Sequence, residues 1–454
     1  MTHFQKWTRA LVPIALTIAS LALAHSYAAQ EPTVRMEQIV QSYADSKQFM
    51  GSVLVAKDGK ILLSKGYRSA DLEWNIPDSP NTKFRLGSIT KQFTAAAILL
   101  LEERGKLKIE DPVKKHMPDA PTAWDKVTIF HLLTHTSGIP SFTSFPDYSS
   151  TEATPTTPEK LVARFRDKPL EFQPGEDWKY DNSGYALLGY LIEKISGQSY
   201  KDFLQENIFK PLGMTDSGYD SNSAIMLHRA QGYSPGQDGP QHAGYIDMTI
   251  PFAAGALYST TEDLLRWEQA LFGGKVLSDA SLKKMTTPFK HDYAFGLGVR
   301  TVNGHKVIEH GGGIEGFNTQ MSYFPDDKLA VIVLGNLNGG APGAIASSLA
   351  AITYGEKVIL PSERKEVAVP KEILKQYVGT YDMAPGFNIV VTLEGSQLMT
   401  QATGQPRIPI YPESETKFFL KAVDAQIEFS KNEKDEVTTL TLHQNGQTLK
   451  GAKH

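Results

Sequence analysis

The sequence predicts an α+β fold followed by a small all-β module, and three observations carry that prediction. Strand-like runs lie near residues 51–67 and again near 294–334, with mostly helical segments between. Strands from distant parts of the chain then share one sheet, and the middle forms a helical insert. A run of strong helix formers, residues 95–101, follows Gly87 and reads as a central helix. Beyond residue 370 short alternating runs separated by turn residues take over.

The first residues are read as a leader rather than as part of the fold. Lys6 and Arg9 precede an apolar run, residues 10–24, too short for a membrane span. Ser26-Tyr27-Ala28 fits a small-x-small cleavage signal, so residues 1–28 read as a secretory signal peptide. Cleavage removes two positive charges and no acid from a chain of net charge −4, which leaves −6. Periplasmic or secreted localisation is expected, without a stable membrane anchor after cleavage. The chain has no cysteine, which excludes disulfides, a thiolate nucleophile and a lipid-modified mature N-terminus.

Residues 34–47 have helical apolar spacing. Residues 51–56 and 60–67 read as strands of a hairpin around Lys57-Asp58-Gly59. Helices are expected over 128–134, 158–166, 183–195, 200–209, 261–272 and 342–354, and strands over 294–301, 306–309, 317–324 and 329–334. Residues 137–158 are rich in Ser, Thr and Pro and read as a long surface loop. Residues 362–370 read as a linker. The expected units are therefore 34–361 and 371–454, the second a small antiparallel barrel or curved sheet with one turn at Asn445-Gly446.

Composition is that of a soluble globular protein, 41% hydrophobic and 21% charged over 454 residues. Slight acidity and the lack of a basic block argue against a nucleic-acid partner. Neither a cofactor nor a metal is expected. His131 and His135 are four apart, but the glutamate of the zinc-protease motif is missing and no third ligand is evident. A structural role is expected, with His135 hydrogen-bonding a loop.

Three short stretches carry chemistry. Ser88 and Lys91 are three apart at the start of the central helix, so one face holds both. A lysine kept neutral by burial can take a serine proton. By itself the pair is weak, since Ser88 could simply cap a helix. Tyr180-Asp181-Asn182 offers a phenol, which would shuttle a proton if lysine neighbours lowered its pKa, and an amide able to orient Lys91 and substrate together. Turn chemistry with a helix cap is the alternative. In the third, a strand runs into His310-Gly311-Gly312-Gly313, where glycines let a ligand approach the backbone and the Gly313 amide could pair with that of Ser88 as an oxyanion hole. Here the alternative is a bulge with a surface histidine.

Taken in order, Ser88-Ile89-Thr90-Lys91, Tyr180-Asp181-Asn182 and His310-Gly311-Gly312 resemble the motifs of the serine β-lactamase and penicillin-binding-protein superfamily. The middle tyrosine resembles the class C β-lactamase branch, with its DD-peptidase, D-aminopeptidase and esterase relatives. Residues 131–138 and Gly316-Phe317 also look typical of that branch. The tail is similar to lipocalin-like C-terminal domains of some members.

The resemblance implies a β-lactamase-like antiparallel sheet flanked by helices with a helical subdomain. It also implies a serine hydrolase that forms an acyl-enzyme on a peptide, amide or ester bond. Ser88 would be the nucleophile, Lys91 and Tyr180 would share the base role, and Asn182, His310, Gly312 and Gly313 would bind substrate or the oxyanion. Which of Lys91 and Tyr180 takes the first proton stays open. Many relatives carry Lys-Thr-Gly where this chain has His310-Gly311-Gly312, and a neutral histidine recognises a carboxylate less well. That points away from efficient β-lactamase activity. A carboxylesterase or transacylase, and a non-catalytic penicillin- or wall-binding receptor, are the alternatives. The expected partner is a small molecule or peptide, and a homo-oligomer is left open.

Overall fold

The structure, a computed structural model, describes residues 32–360, 363–421, 425–444 and 447–454. The signal peptide expected over residues 1–28 and the turn expected at Asn445-Gly446 lie outside the described residues.

Helix α1 covers residues 32–45 and buries Met36, Ile39, Val40 and Tyr43. The hairpin β1 (Gly51–Lys57) and β2 (Lys60–Tyr67) follows. Further on come α2 (Thr90–Glu103), α3 (Asn182–Ser196), β3 (Gly298–Val302), β4 (His305–Ile314), β5 (Phe317–Phe324), β6 (Leu329–Gly335) and α4 (Ala341–Thr353). The main sheet has six antiparallel strands in the order β3-β4-β5-β6-β1-β2. β1 pairs with β6 from Gly51↔Gly335 to Lys57↔Leu329, so early and late parts of the chain do share the sheet.

Alternation along these central strands divides the core in two. Val53, Val55, Val331 and Val333 point to the side of α1 and α4, while Leu54, Ala56, Ile332 and Leu334 join the cluster around α2. Every residue of α2 from Thr90 to Leu101 is buried. A helix buried on all sides belongs in a core, and Phe93 stacks on Trp267 there at 4.2 Å.

Two expectations need correction and two alternatives fall away. Ser88 does not cap a helix: Gly87–Ile89 form a 3-10 turn leading into α2, with no side-chain cap at either. Residues 137–158 are not wholly a surface loop, because Ser137, Ile139, Ser141 and Phe142 are buried. Polar composition misled, since these hydroxyls bond inward. The glycines 311–313 make no bulge; β4 runs straight through them in unbroken register with β5. The helix at residue 200 is α-helical over Tyr200–Leu204 and then widens to a π turn over Gln205–Phe209. A short helix at Asp279–Met285, capped by Ser278, was not anticipated, seven residues being too few to show a period.

The tail closes a barrel of eight antiparallel strands, from Gly379–Ala384 to Gln447–Lys453, through the pair Tyr381↔Lys453. Side chains can fill an interior of this strand number. Tyr377, Tyr381, Phe418 and Phe429 do so, with Tyr377 stacked on Phe429 at 4.2 Å. Among the described residues no helix is long and apolar enough to cross a membrane.

Candidate active site

The α2 helix and the edge of the sheet meet at Ser88. Gly87 has φ 54°, a left-handed conformation natural to glycine, and a Cβ there would stand 2.8 Å from the Gly313 nitrogen. Gly312 is equally constrained: a Cβ would lie 1.9 Å from the Leu86 carbonyl oxygen and 2.3 Å from Thr319 Oγ1. Thr319 Oγ1 itself donates to that carbonyl at 2.8 Å. The glycines thus let β4 lie directly against the turn that carries Ser88. β3 pairs with β4 only as far as Glu309, which leaves residues 310–314 free of a strand on that edge.

Lys91 is fully buried, at 0% exposure, and its Nζ has three oxygen partners. Ser88 Oγ is at 3.0 Å, Asn182 Oδ1 at 2.9 Å and the Ala254 carbonyl at 2.9 Å. Burial lowers the lysine pKa to about 7, against the pull of Asp181 in the other direction. Asp181 is the N-cap of α3, accepting from Ser183 N at 2.7 Å and Gly184 N at 2.9 Å. Burial pushes its carboxyl up to about 7, opposed by those amides and by Lys91.

Asn182, the first residue of α3, is held on both sides. Its Nδ2 donates to Thr143 Oγ1 at 3.0 Å, and its backbone N–H donates to Ser141 Oγ at 3.1 Å. That leaves Oδ1 turned to Lys91. The Ala254 carbonyl comes from a short helix, Phe252–Gly255, whose first residue has φ 40°. Positive φ is costly for a bulky residue and is held here by buried surroundings. The preceding carbonyl, of Ala253, accepts from Thr94 Oγ1 at 2.7 Å, so this helix is tied to α2 twice.

Tyr180 is brought to Ser88, but not as the sequence implied. Its hydroxyl oxygen is buried and close to Ser88, although the contact falls outside strict hydrogen-bond geometry. Burial raises its pKa rather than lowering it, and outweighs the hydrogen-bonding influence of Ser88, which pulls it down. Lys91 Nζ sits over the ring, 4.8 Å from its centre, and not beside the oxygen.

His310 is part of the same cluster. Its Nδ1 is 2.6 Å from the Gly311 carbonyl, which can only accept, so Nδ1 carries the proton. Nε2 is therefore the acceptor for the Tyr293 hydroxyl at 3.0 Å. Burial and Lys91 lower its pKa to about 4, so the ring is neutral. His135 adopts φ 58° and packs on Tyr180 at 4.4 Å; its Nδ1 accepts from the Asp181 amide at 3.1 Å, the loop bond expected of it. No metal-binding group of His, Asp or Glu occurs among the described residues.

Ser88, Thr143, Tyr148, Asn182, Gly313 and Glu315 line a pocket of about 200 Å³. A larger cleft of about 690 Å³, between α4 and the barrel, is lined by Tyr354, Arg364 and Glu413 and lies away from Ser88. Thr143, Ala254, Asp181 and Tyr293 were missed by sequence reasoning. Asp181 alone had a signal, as a cap residue inside the quoted motif.

A Ser-x-x-Lys pair with its lysine buried, beneath a glycine-bearing sheet edge, defines the serine hydrolase type found in β-lactamases and penicillin-binding proteins. Comparison with known families matches residues 36–354 to Beta-lactamase and residues 363–453 to a domain of unknown function, DUF3471. This chain belongs to the β-lactamase family. Penicillin-binding protein 4* of Bacillus subtilis (strain 168) is 31% identical over 446 residues, covering 92% of this chain and 98% of that protein. The structure of the octameric penicillin-binding protein homologue from Pyrococcus abyssi is similar with TM-score 0.65 and 29% identity, over 92% of this chain and 99% of that one. A D-stereospecific amidohydrolase from Streptomyces sp. is similar with TM-score 0.59 and 27% identity, over 66% and 93%.

Proposed function

We propose that the protein is an exported serine hydrolase that cleaves peptide, amide or ester bonds through an acyl-enzyme on Ser88. The observation that carries this is the set of partners around Lys91 Nζ. The Asn182 Oδ1 and Ala254 O atoms can only accept hydrogen bonds. A neutral amine has two protons and one lone pair. With both protons given to those acceptors, the lone pair faces Ser88 Oγ. A lysine pKa of about 7 keeps a large share of the amine neutral near neutral pH.

The reaction then runs as follows. Ser88 Oγ bonds to the substrate carbonyl carbon as its proton passes to Lys91. The carbonyl electron pair moves onto oxygen, supported by the amides of Ser88 and Gly313. Collapse re-forms the carbonyl and breaks the bond to the leaving amine or alcohol. Tyr180, kept protonated by burial, hands a proton to the leaving group, and the proton that Lys91 took from Ser88 returns to the phenol by way of solvent. Water repeats the sequence on the ester, releasing the acid and restoring Ser88. Lys91 is thus the first base, and Asn182 fixes it while offering Nδ2 toward the Thr143 side of the pocket.

His310, neutral and already hydrogen-bonded at both nitrogens, supplies no positive charge for a substrate carboxylate. This weighs against efficient β-lactam hydrolysis. Likeness to a D-stereospecific amidohydrolase supports an amide substrate. The apolar leader in the sequence supports export, and likeness to an octameric homologue supports a homo-oligomer. Labelling with a fluorophosphonate and a penicillin probe, followed by peptide mapping, tests the assignment. Wild type should be modified at Ser88 and Ser88→Ala should not. Modification that persists in the variant would refute it.

A further inference from the structure

Among the described residues, the pocket above Ser88 is bordered by a carboxylate and by no basic side chain: Glu315 is among its lining residues, and Lys, Arg and His are not. Glu315 sits at the tip of the β4–β5 hairpin beside Gly316, whose φ is 81°. The tip is pinned from behind by Asn338, which accepts from Gly316 N at 2.8 Å and donates to the Ile314 carbonyl at 3.0 Å. These bonds hold the turn without help from the Glu315 side chain. That side chain makes no ion pair among the described residues, and its Oε2 is buried with no hydrogen-bond partner there.

A carboxylate oxygen removed from water without a donor is costly, and a ligand that brings a charged donor relieves that cost. The negative potential also reaches across the pocket mouth. Tyr148, on the facing wall, and nearby Glu152 both have their pKa raised, first by burial and next by the charge of Glu315. The pocket, at about 200 Å³, is smaller than the about 300 Å³ at which drug-sized sites begin. It fits a small acyl unit.

We infer that Glu315 is a specificity-determining residue that selects substrates carrying a primary ammonium group next to the scissile carbonyl, as unblocked aminoacyl amides or esters do. The inference rests on Ser88 being the nucleophile in that pocket. A carboxylate in the same place would meet Glu315 with like charge and find no cation in return, which agrees with the neutral His310.

The test uses the full chain and pairs of alanine p-nitroanilides, D and L, unblocked and N-acetylated. Active-site titration with p-nitrophenyl acetate counts functional Ser88 in each preparation. Wild type should favour the unblocked compound in kcat/KM by about tenfold or more, the range of one charge-assisted hydrogen bond. Glu315→Gln should erase that ratio and Glu315→Asp should keep part of it. Glu315→Lys should favour an N-succinyl substrate instead. An unchanged ratio in Glu315→Gln, or a wild type that prefers the acetylated compound, overturns the inference alone. A wild type that neither turns over p-nitrophenyl acetate nor is labelled at Ser88 by a fluorophosphonate removes the reading of Ser88 beneath it as well.

Discussion

Lys91 meets Tyr180 on the face of its ring: Nζ is 4.8 Å from the ring centre, while the phenol oxygen lies close to Ser88. This arrangement divides the labour between two groups that sequence alone left interchangeable. A cation above a ring is attracted by its electron density without drawing a proton from the hydroxyl. Burial keeps the phenol protonated and brings the amine close to neutrality, which is why Lys91 is proposed as the base.

A protonated phenol is useful only where a leaving group needs a proton. Tyr180→Phe should therefore lower kcat on an amide by about 100-fold, within the range of general acid catalysis. On a p-nitrophenyl ester, whose leaving group departs as an anion, the loss should be under about tenfold. Steady-state kinetics on a matched amide and ester check this, and equal losses would assign Tyr180 to a different step.

Asp181 lies behind the lysine and its charge raises the Lys91 pKa. Asp181→Asn keeps an acceptor for the α3 amides and removes the charge. The ascending limb of the pH–kcat/KM profile should then move to lower pH, because a neutral lysine is reached earlier. A limb that moves to higher pH would contradict this electrostatic account.

Gly312→Ala should be inactive and less stable, since the new methyl meets the Leu86 carbonyl at 1.9 Å and backbone must shift. Overpacking of this kind costs about 1–3 kcal/mol. Gly343→Ala is the control: it lies in α4 with open space around its Cβ position and should gain up to about 1 kcal/mol. Thermal unfolding of both, read beside Ser88 labelling, gives the comparison.

Among the described residues, the barrel contributes none to the pocket that holds Ser88, and it has its own core around Tyr377 and Phe429. A chain ending at residue 360 should still be labelled at Ser88. Loss of labelling in a truncated protein that keeps its far-UV circular dichroism would show that the barrel shapes the site.

The sheet, the α2 helix and the barrel were legible because each buries a long periodic face. The contrast between β1, whose alternate residues enter two cores, and α2, with its continuous apolar run over residues 95–101, shows why. Ser88, Lys91, Tyr180, Asn182, His310 and the glycines were legible as local motifs. What stayed hidden has no local pattern. The Ala254 carbonyl is a backbone group on a four-residue helix 163 residues from Lys91, and Ser141 with Thr143 looked like surface composition, although their hydroxyls hold Asn182. The phenol pKa was misjudged for the same reason: whether a lysine meets the ring or the oxygen is a matter of tertiary placement.

The central claim is that a near-neutral Lys91 takes the Ser88 proton, and the pH dependence of acylation tests it most directly. Single-turnover acylation by a neutral ester, followed by mass spectrometry of the adduct, should rise through an apparent pKa near 7 and then level off. His310, with a pKa of about 4, should add no limb between pH 5 and 7. Lys91→Met should form no adduct on this timescale. An apparent pKa above about 9, near that of an ordinary lysine, or normal acylation in Lys91→Met, would contradict the account.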